Sequence, residues 1–192
     1  MEATPEAVEA LISPARVRLA FPDVRVRLFG ASDAVALRDG FASGSISDRT
    51  RFMFPRSVAE TVERLRQSKE TTRFAIVVGG KFVGICTLRD PLFSGKELTI
   101  GIFDEAYHGR GIGTHVIRKV CAYGFKKLKL HRIELGVYPN NTRAIRCYAR
   151  CGFQREALLR KLLYNDGEYR DIIWMSLLRN EWVSYDRHDR DW

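Results

Sequence analysis

From Tyr107 to Thr114 the chain reads Tyr-His-Gly-Arg-Gly-Ile-Gly-Thr, with three glycines at alternate positions. An apolar run, Leu98 to Phe103, precedes them. His115 to Lys127 follows, its apolar residues at helical spacing. Glycines at a strand-to-helix crossing let the backbone approach a ligand closely. The first amides of the helix have no partner inside it and sit at its positive pole. The result is a cradle for an anion, and phosphate is the usual one. Two common phosphate loops are excluded by spacing. A P-loop places Lys-Ser or Lys-Thr after its last glycine, whereas Thr114 and His115 follow Gly113. The dinucleotide fingerprint separates its last two glycines by two residues, whereas Gly109, Gly111 and Gly113 alternate throughout.

A second segment bears on the first. Ile133 to Tyr138 alternates like a strand, and Pro139 to Thr142 is a turn with helix-capping residues. Arg143 to Phe153 then reads as a short helix closed by Gly152.

The first segment resembles the pyrophosphate loop of the GNAT superfamily of acyl-CoA N-acyltransferases. That pattern is Gln or Arg, two residues, Gly, one residue, then Gly or Ala. His108, Gly111 and Gly113 fall on it, with Arg110 in the usual basic slot; His108 departs from the pattern's first residue. Asn141, Ala144, Ile145, Tyr148, Gly152 and Phe153 match the family's second signature in order. The resemblance implies an α/β fold, with a mixed central sheet of about six to seven strands, flanking helices and a splayed parallel pair. Leu98–Phe103 and Ile133–Tyr138 would be that pair. It further implies that acetyl-CoA is bound. Backbone groups of Ile102 and Phe103 would pair with the pantetheine arm. His108, Gly109, Arg110, Gly111, Ile112, Gly113 and Thr114 would hold the pyrophosphate, and Asn141 would lie near the arm or the sulfur. Tyr148 occupies the family's position for the acid that protonates the departing thiolate.

The implied reaction is direct attack of a primary amine on the thioester in a ternary complex. A thioester is already activated and both reactants are held together, so no protein nucleophile is needed; this counts against Cys147 or Cys151 as acyl carrier. An alkylammonium must first lose a proton. Glu97, at the start of the loop-side strand, is the candidate base, with Glu134 on the neighbouring strand as the alternative. The stretch from Cys151 to Ala157, the Asn165-Asp-Gly turn and Trp174-Met175 most resemble the branch of ribosomal-protein-alanine N-acetyltransferases. That branch also holds enzymes for small amines, so the acceptor is an N-terminal peptide amine or a small amine. Two other classes stay open: a catalytically silent CoA-binding module, and a basic protein associated with ribosomes or RNA. A homodimer is common in the family.

Stepping outward, the elements that must position these residues follow from pattern. At 192 residues and 45% hydrophobic, the chain suits one domain with a sizeable core. Residues 23–183 are read as that domain, 1–22 as an N-terminal extension and 184–192 as a charged tail. Strands are expected at Val24–Leu28, Phe74–Val78, Phe82–Leu88, Glu97–Phe103, Ile133–Tyr138, Ala157–Tyr164 and Glu168–Leu178. Gly79-Gly80 and Asn165-Asp-Gly167 give hairpin signals. Ser32-Asp33 is expected to cap a helix to about Phe41, and Ser57 with Glu60 a second to about Lys69. Phe41, Phe52, Met53 and Phe54 line an acceptor pocket or, more simply, pack in the core.

No apolar run approaches membrane-spanning length, and the acidic start lacks the basic residues of a secretory signal, so the expected location is cytoplasmic. Cys86, Cys121, Cys147 and Cys151 read as reduced thiols, with no metal site. A net charge of +9 favours acidic partners, including the polyphosphate of coenzyme A. The basic run Lys126–Arg132 reads as a solvated helix end.

Overall fold

The computed structural model describes residues 23–42, 71–90, 95–165 and 167–182. The expected terminal extension and tail, the loop after Ala42, the Ser57 helix and Phe52, Met53 and Phe54 lie outside them. The strands are β1 (Val24–Leu28), β2 (Thr72–Val78), β3 (Lys81–Arg89), β4 (Lys96–Ile102), β5 (Arg132–Val137), β6 (Gln154–Asn165) and β7 (Glu168–Leu178). The helices are α1 (Ala34–Ala42), α2 (Ile112–Lys126) and α3 (Thr142–Arg150). All seven expected strands form, within a few residues of their expected ends.

The described strands make one sheet in the order β1-β2-β3-β4-β5-β7-β6. All neighbours are antiparallel except β4 and β5. Gly79 and Gly80 both take positive φ (56° and 80°), as a two-residue hairpin turn requires. Alternation divides the side chains between two faces. Leu98, Ile133, Leu135, Phe74 and Leu88 pack under α2, against Val116, Ile117, Val120 and Phe125. On the other face Phe103 and Ile85 meet Leu37 of α1, with Phe41 and Phe82 packed against them.

The parallel pair matters most for the site. β4 and β5 are joined only at Lys96–Ile133 and Glu97–Glu134. Beyond that point the strands part, leaving a V whose closed end is at Glu97.

Near α1 the expected cap differs in its chemistry. Asp33 turns backwards: its carboxylate accepts from Gly30 N (2.9 Å) and from both terminal nitrogens of Arg27 (2.6 and 2.7 Å). A full ion pair outcompetes a forward hydrogen bond to one amide.

Candidate active site

A cleft of about 360 Å³ opens along the V and is lined by β4, β5, the glycine loop and α3. The loop is built by conformation. Asp104 caps a short 3-10 turn, Glu105–Tyr107, by accepting from Ala106 N at 2.9 Å. Gly109 (φ 72°) and Gly111 (φ 82°) then adopt the left-handed region that disfavours other residues. Gly111 is the N-cap of α2, so the helix starts three residues before the expected His115. The first backbone bond of the helix runs from His115 N to Gly111 O at 3.0 Å. Among the described residues, no backbone acceptor takes the amides of Gly109, Gly111, Ile112, Gly113 or Thr114. Gly113 is close-packed: a Cβ there would lie 3.4 Å from Cys147 Sγ on α3. These free donors at a helix pole fit a diphosphate.

The site residues expected from sequence divide into three groups. His108, Gly109, Gly111, Gly113, Thr114, Ile102, Asn141 and Tyr148 all line the cleft. His108 is held by its ring, with Nε2 2.9 Å from the Ile102 carbonyl. Asn141 is the N-cap of α3, its side chain accepting from Ala144 N at 3.2 Å. Arg110 and Ile112 belong to the loop but do not line the cleft. Arg110 is exposed, and Ile112 is buried in the core under α2.

Phe103 and Glu97 stand apart. The amide of Phe103 donates to Val83 O at 2.9 Å, so its backbone faces β3 and its side chain the α1 face. By the same alternation the backbone groups of Ile100 and Ile102 face the open V. Glu97 is 2% exposed and bonded to Arg89 at 2.8 Å. Glu134 is 1% exposed, beside Arg132 at 2.8 Å. Both carboxylates sit at the closed end of the V, on the face opposite α2, and neither lines the cleft. No Asp or Glu lines it among the described residues.

The weakly acidic groups that do are Tyr107, Tyr138, Cys147 and, in the position expected for the acid, Tyr148. Tyr148 is 8% exposed, packed against Phe153. Burial pushes its phenol above the ordinary tyrosine range, with Cys147, Cys86 and Cys151 adding to the rise. It therefore stays protonated across the physiological range and can donate. The thiol of Cys147 moves the other way, lowered by hydrogen bonding with Cys151 and Thr114 against the effect of burial, and helped by the charges of Arg150 and Arg118. All four cysteines are unpaired.

Sequence reading passed over Arg143, Arg146 and Arg150, which line the cleft along α3. The signal was present as arginines at i, i+3 and i+7 of one predicted helix.

Comparison with known proteins identifies the family and the fold. Residues 23–154 match the model of the acetyltransferase (GNAT) domain family. The chain is 34% identical over 125 residues to a probable N-acetyltransferase, YjcK, of Bacillus subtilis, covering 63% of this chain and 68% of that protein. It is 29% identical over 108 residues to the putative ribosomal N-acetyltransferase YdaF of the same organism, covering 56% and 59%. Among solved structures, spermidine N-acetyltransferase from Vibrio cholerae in complex with CoA and spermine superposes with a TM-score of 0.73 at 22% identity. The match covers 83% of this chain and 97% of that one, and shows a shared fold. Among the described residues no helix is long and apolar enough to cross a membrane.

Proposed function

This chain belongs to the GNAT acetyltransferase family, and we propose that it acetylates the α-amine of a peptide or protein N-terminus. The family makes it an acyl-CoA-dependent N-acetyltransferase; the acceptor and the residue roles are what we add. The observation that carries the reading is Tyr148, a buried phenol lining the same cleft as the glycine loop.

Bound acetyl-CoA supplies a thioester carbon that an amine can attack without a protein nucleophile. The loop amides of Gly109–Thr114 bind the diphosphate and fix the donor along the cleft. Ile100 and Ile102 face the arm with their backbone. Asn141 pins the start of α3 and so sets the angle from which Tyr148 approaches. As the C–N bond forms and the C–S bond breaks, Tyr148 gives its proton to the sulfur, and the surplus proton on nitrogen passes to water. Glu97 acts as a strut at the base of the V rather than as the base.

What supports this acceptor is the described lining of the cleft, which carries no Asp or Glu. At pH 7.4 an alkylammonium with a pKa of about 10.4 is roughly 0.1% neutral, whereas an α-amine near 7.8 is roughly a quarter neutral. An α-amine needs no base in the cleft. A net charge of +9 also repels polycations. Relatives named spermidine N(1)-acetyltransferase, such as that of Escherichia coli (29% identical over 114 residues), would differ from this chain in their acceptor.

Thiol release from acetyl-CoA, measured with a panel of N-terminal peptides and with spermidine at pH 7.5, tests this. Peptides should turn over with kcat/KM about tenfold or more above spermidine. Preference for spermidine would overturn the acceptor. No release with any amine would mark a silent CoA-binding module.

A further inference from the structure

The cleft wall formed by α3, beside the glycine loop, is cationic. α3 presents Arg143, Arg146 and Arg150 to it at spacings of three and four residues, along one helix face. All three are exposed, and none is ion-paired with a carboxylate among the described residues. Like charges so spaced on a nine-residue helix repel one another. An anion bound at the cleft would offset that repulsion. The site is also braced: Arg118 of α2 donates to the Arg150 carbonyl at 3.1 Å, tying the two helices together. The positive potential reaches inside the cleft, since Arg150 and Arg118 both contribute to the lowered Cys147 thiol, behind its hydrogen bond with Cys151.

The diphosphate is answered by the loop amides and the pole of α2. The three guanidinium groups are surplus to it. Coenzyme A offers one further anion, the phosphate ester on its ribose, with a charge of about −1.5 to −2 at neutral pH. A planar guanidinium matches phosphate oxygens two at a time.

Resting on the acetyl-CoA reading above, we propose that Arg143, Arg146 and Arg150 bind the ribose phosphate of the donor and so select free acyl-CoA. Donors with the same thioester arm but no ribose phosphate are disfavoured. They include dephosphorylated acyl-CoA and an arm mounted on a carrier protein.

The test compares CoA with dephospho-CoA by calorimetry, and acetyl-CoA with acetyl-dephospho-CoA in turnover. The wild-type protein should prefer the ribose-phosphorylated form by about tenfold or more. The triple variant R143Q/R146Q/R150Q should bring the preference below about twofold, by weakening CoA while sparing dephospho-CoA, with the loss falling on KM rather than kcat. The triple Lys variant should retain much of the preference, because it keeps the charge. If the Gln triple fails to fold in a thermal melt, the single Gln variants take its place, each expected to lower the ratio part-way. An unaltered ratio in the Gln variants, or equal affinity of the wild-type protein for both ligands, overturns the proposal and leaves the acetyltransferase reading intact. Failure of the wild-type protein to bind either ligand overturns both.

Discussion

Tyr148 is the residue on which turnover should depend. Its replacement by Phe keeps the ring that packs against Phe153 and removes only the hydroxyl. We expect kcat to fall about 10²-fold with KM for acetyl-CoA within about twofold and thermal stability nearly unchanged. Loss in KM alone would assign Tyr148 to binding. Because burial raises its phenol, kcat of the wild-type enzyme should show no falling limb up to about pH 10. Asp33 reports on stability instead. Hydrogen bonding from Arg27 holds its carboxyl below the ordinary range. The folded value is therefore lower than the unfolded one, so the stabilisation is present above about pH 4 and is lost as pH falls through the lowered value. Asp33→Asn should cost about 1–2 kcal/mol in urea unfolding at pH 7, and the gap between variant and wild type should narrow toward pH 3. At this scale the sequence was partly legible. Tyr148 could be picked out because its helix carries a distinctive order of residues. Glu97 could not be judged, because a carboxylate opening a strand looks the same whether it faces solvent, substrate or an arginine on the next strand. The pairing with β3 brings Arg89 opposite Glu97, and that long-range contact is what favours the strut over the base.

Glycine sets the geometry of two elements. At Gly111 the left-handed N-cap turns the amides of the loop outward. Gly111→Ala should cost about 1–2 kcal/mol of strain and weaken CoA binding about tenfold, with the fold retained by circular dichroism. At Gly84 a Cβ would sit 2.3 Å from the Gly101 carbonyl across the β3–β4 pair. The V depends on the short β4–β5 contact, which Glu97 and Glu134 close. Glu97→Gln should lower the unfolding free energy by about 1–2 kcal/mol, because Arg89 is partly exposed and the pair is screened. Its kcat should stay within about threefold of wild type. A hundredfold loss of turnover with normal stability would return Glu97 to the role of base. The strands and the loop helix were legible because alternation, glycine turns and caps are local signals. The order β5-β7-β6 and the point where β4 leaves β5 were not, because strand pairing joins residues far apart in sequence.

For the whole molecule, the proposed reading has charge and fold act together on the donor. The net charge of +9 includes three arginines that converge on one cleft wall, and composition alone does not say where a surplus of charge lies. The fold is shared with acetyltransferases at low identity, and a shared fold does not say which amine is modified. The central claim is that main-chain amides between Gly109 and Thr114 hold the diphosphate of acetyl-CoA. Calorimetric titration of CoA into the wild-type protein and into Gly111→Ala tests it most directly. We predict one site per chain for the wild-type protein and binding about tenfold weaker in the variant. No heat of binding with well-folded wild-type protein, or equal affinity in the two, would contradict it.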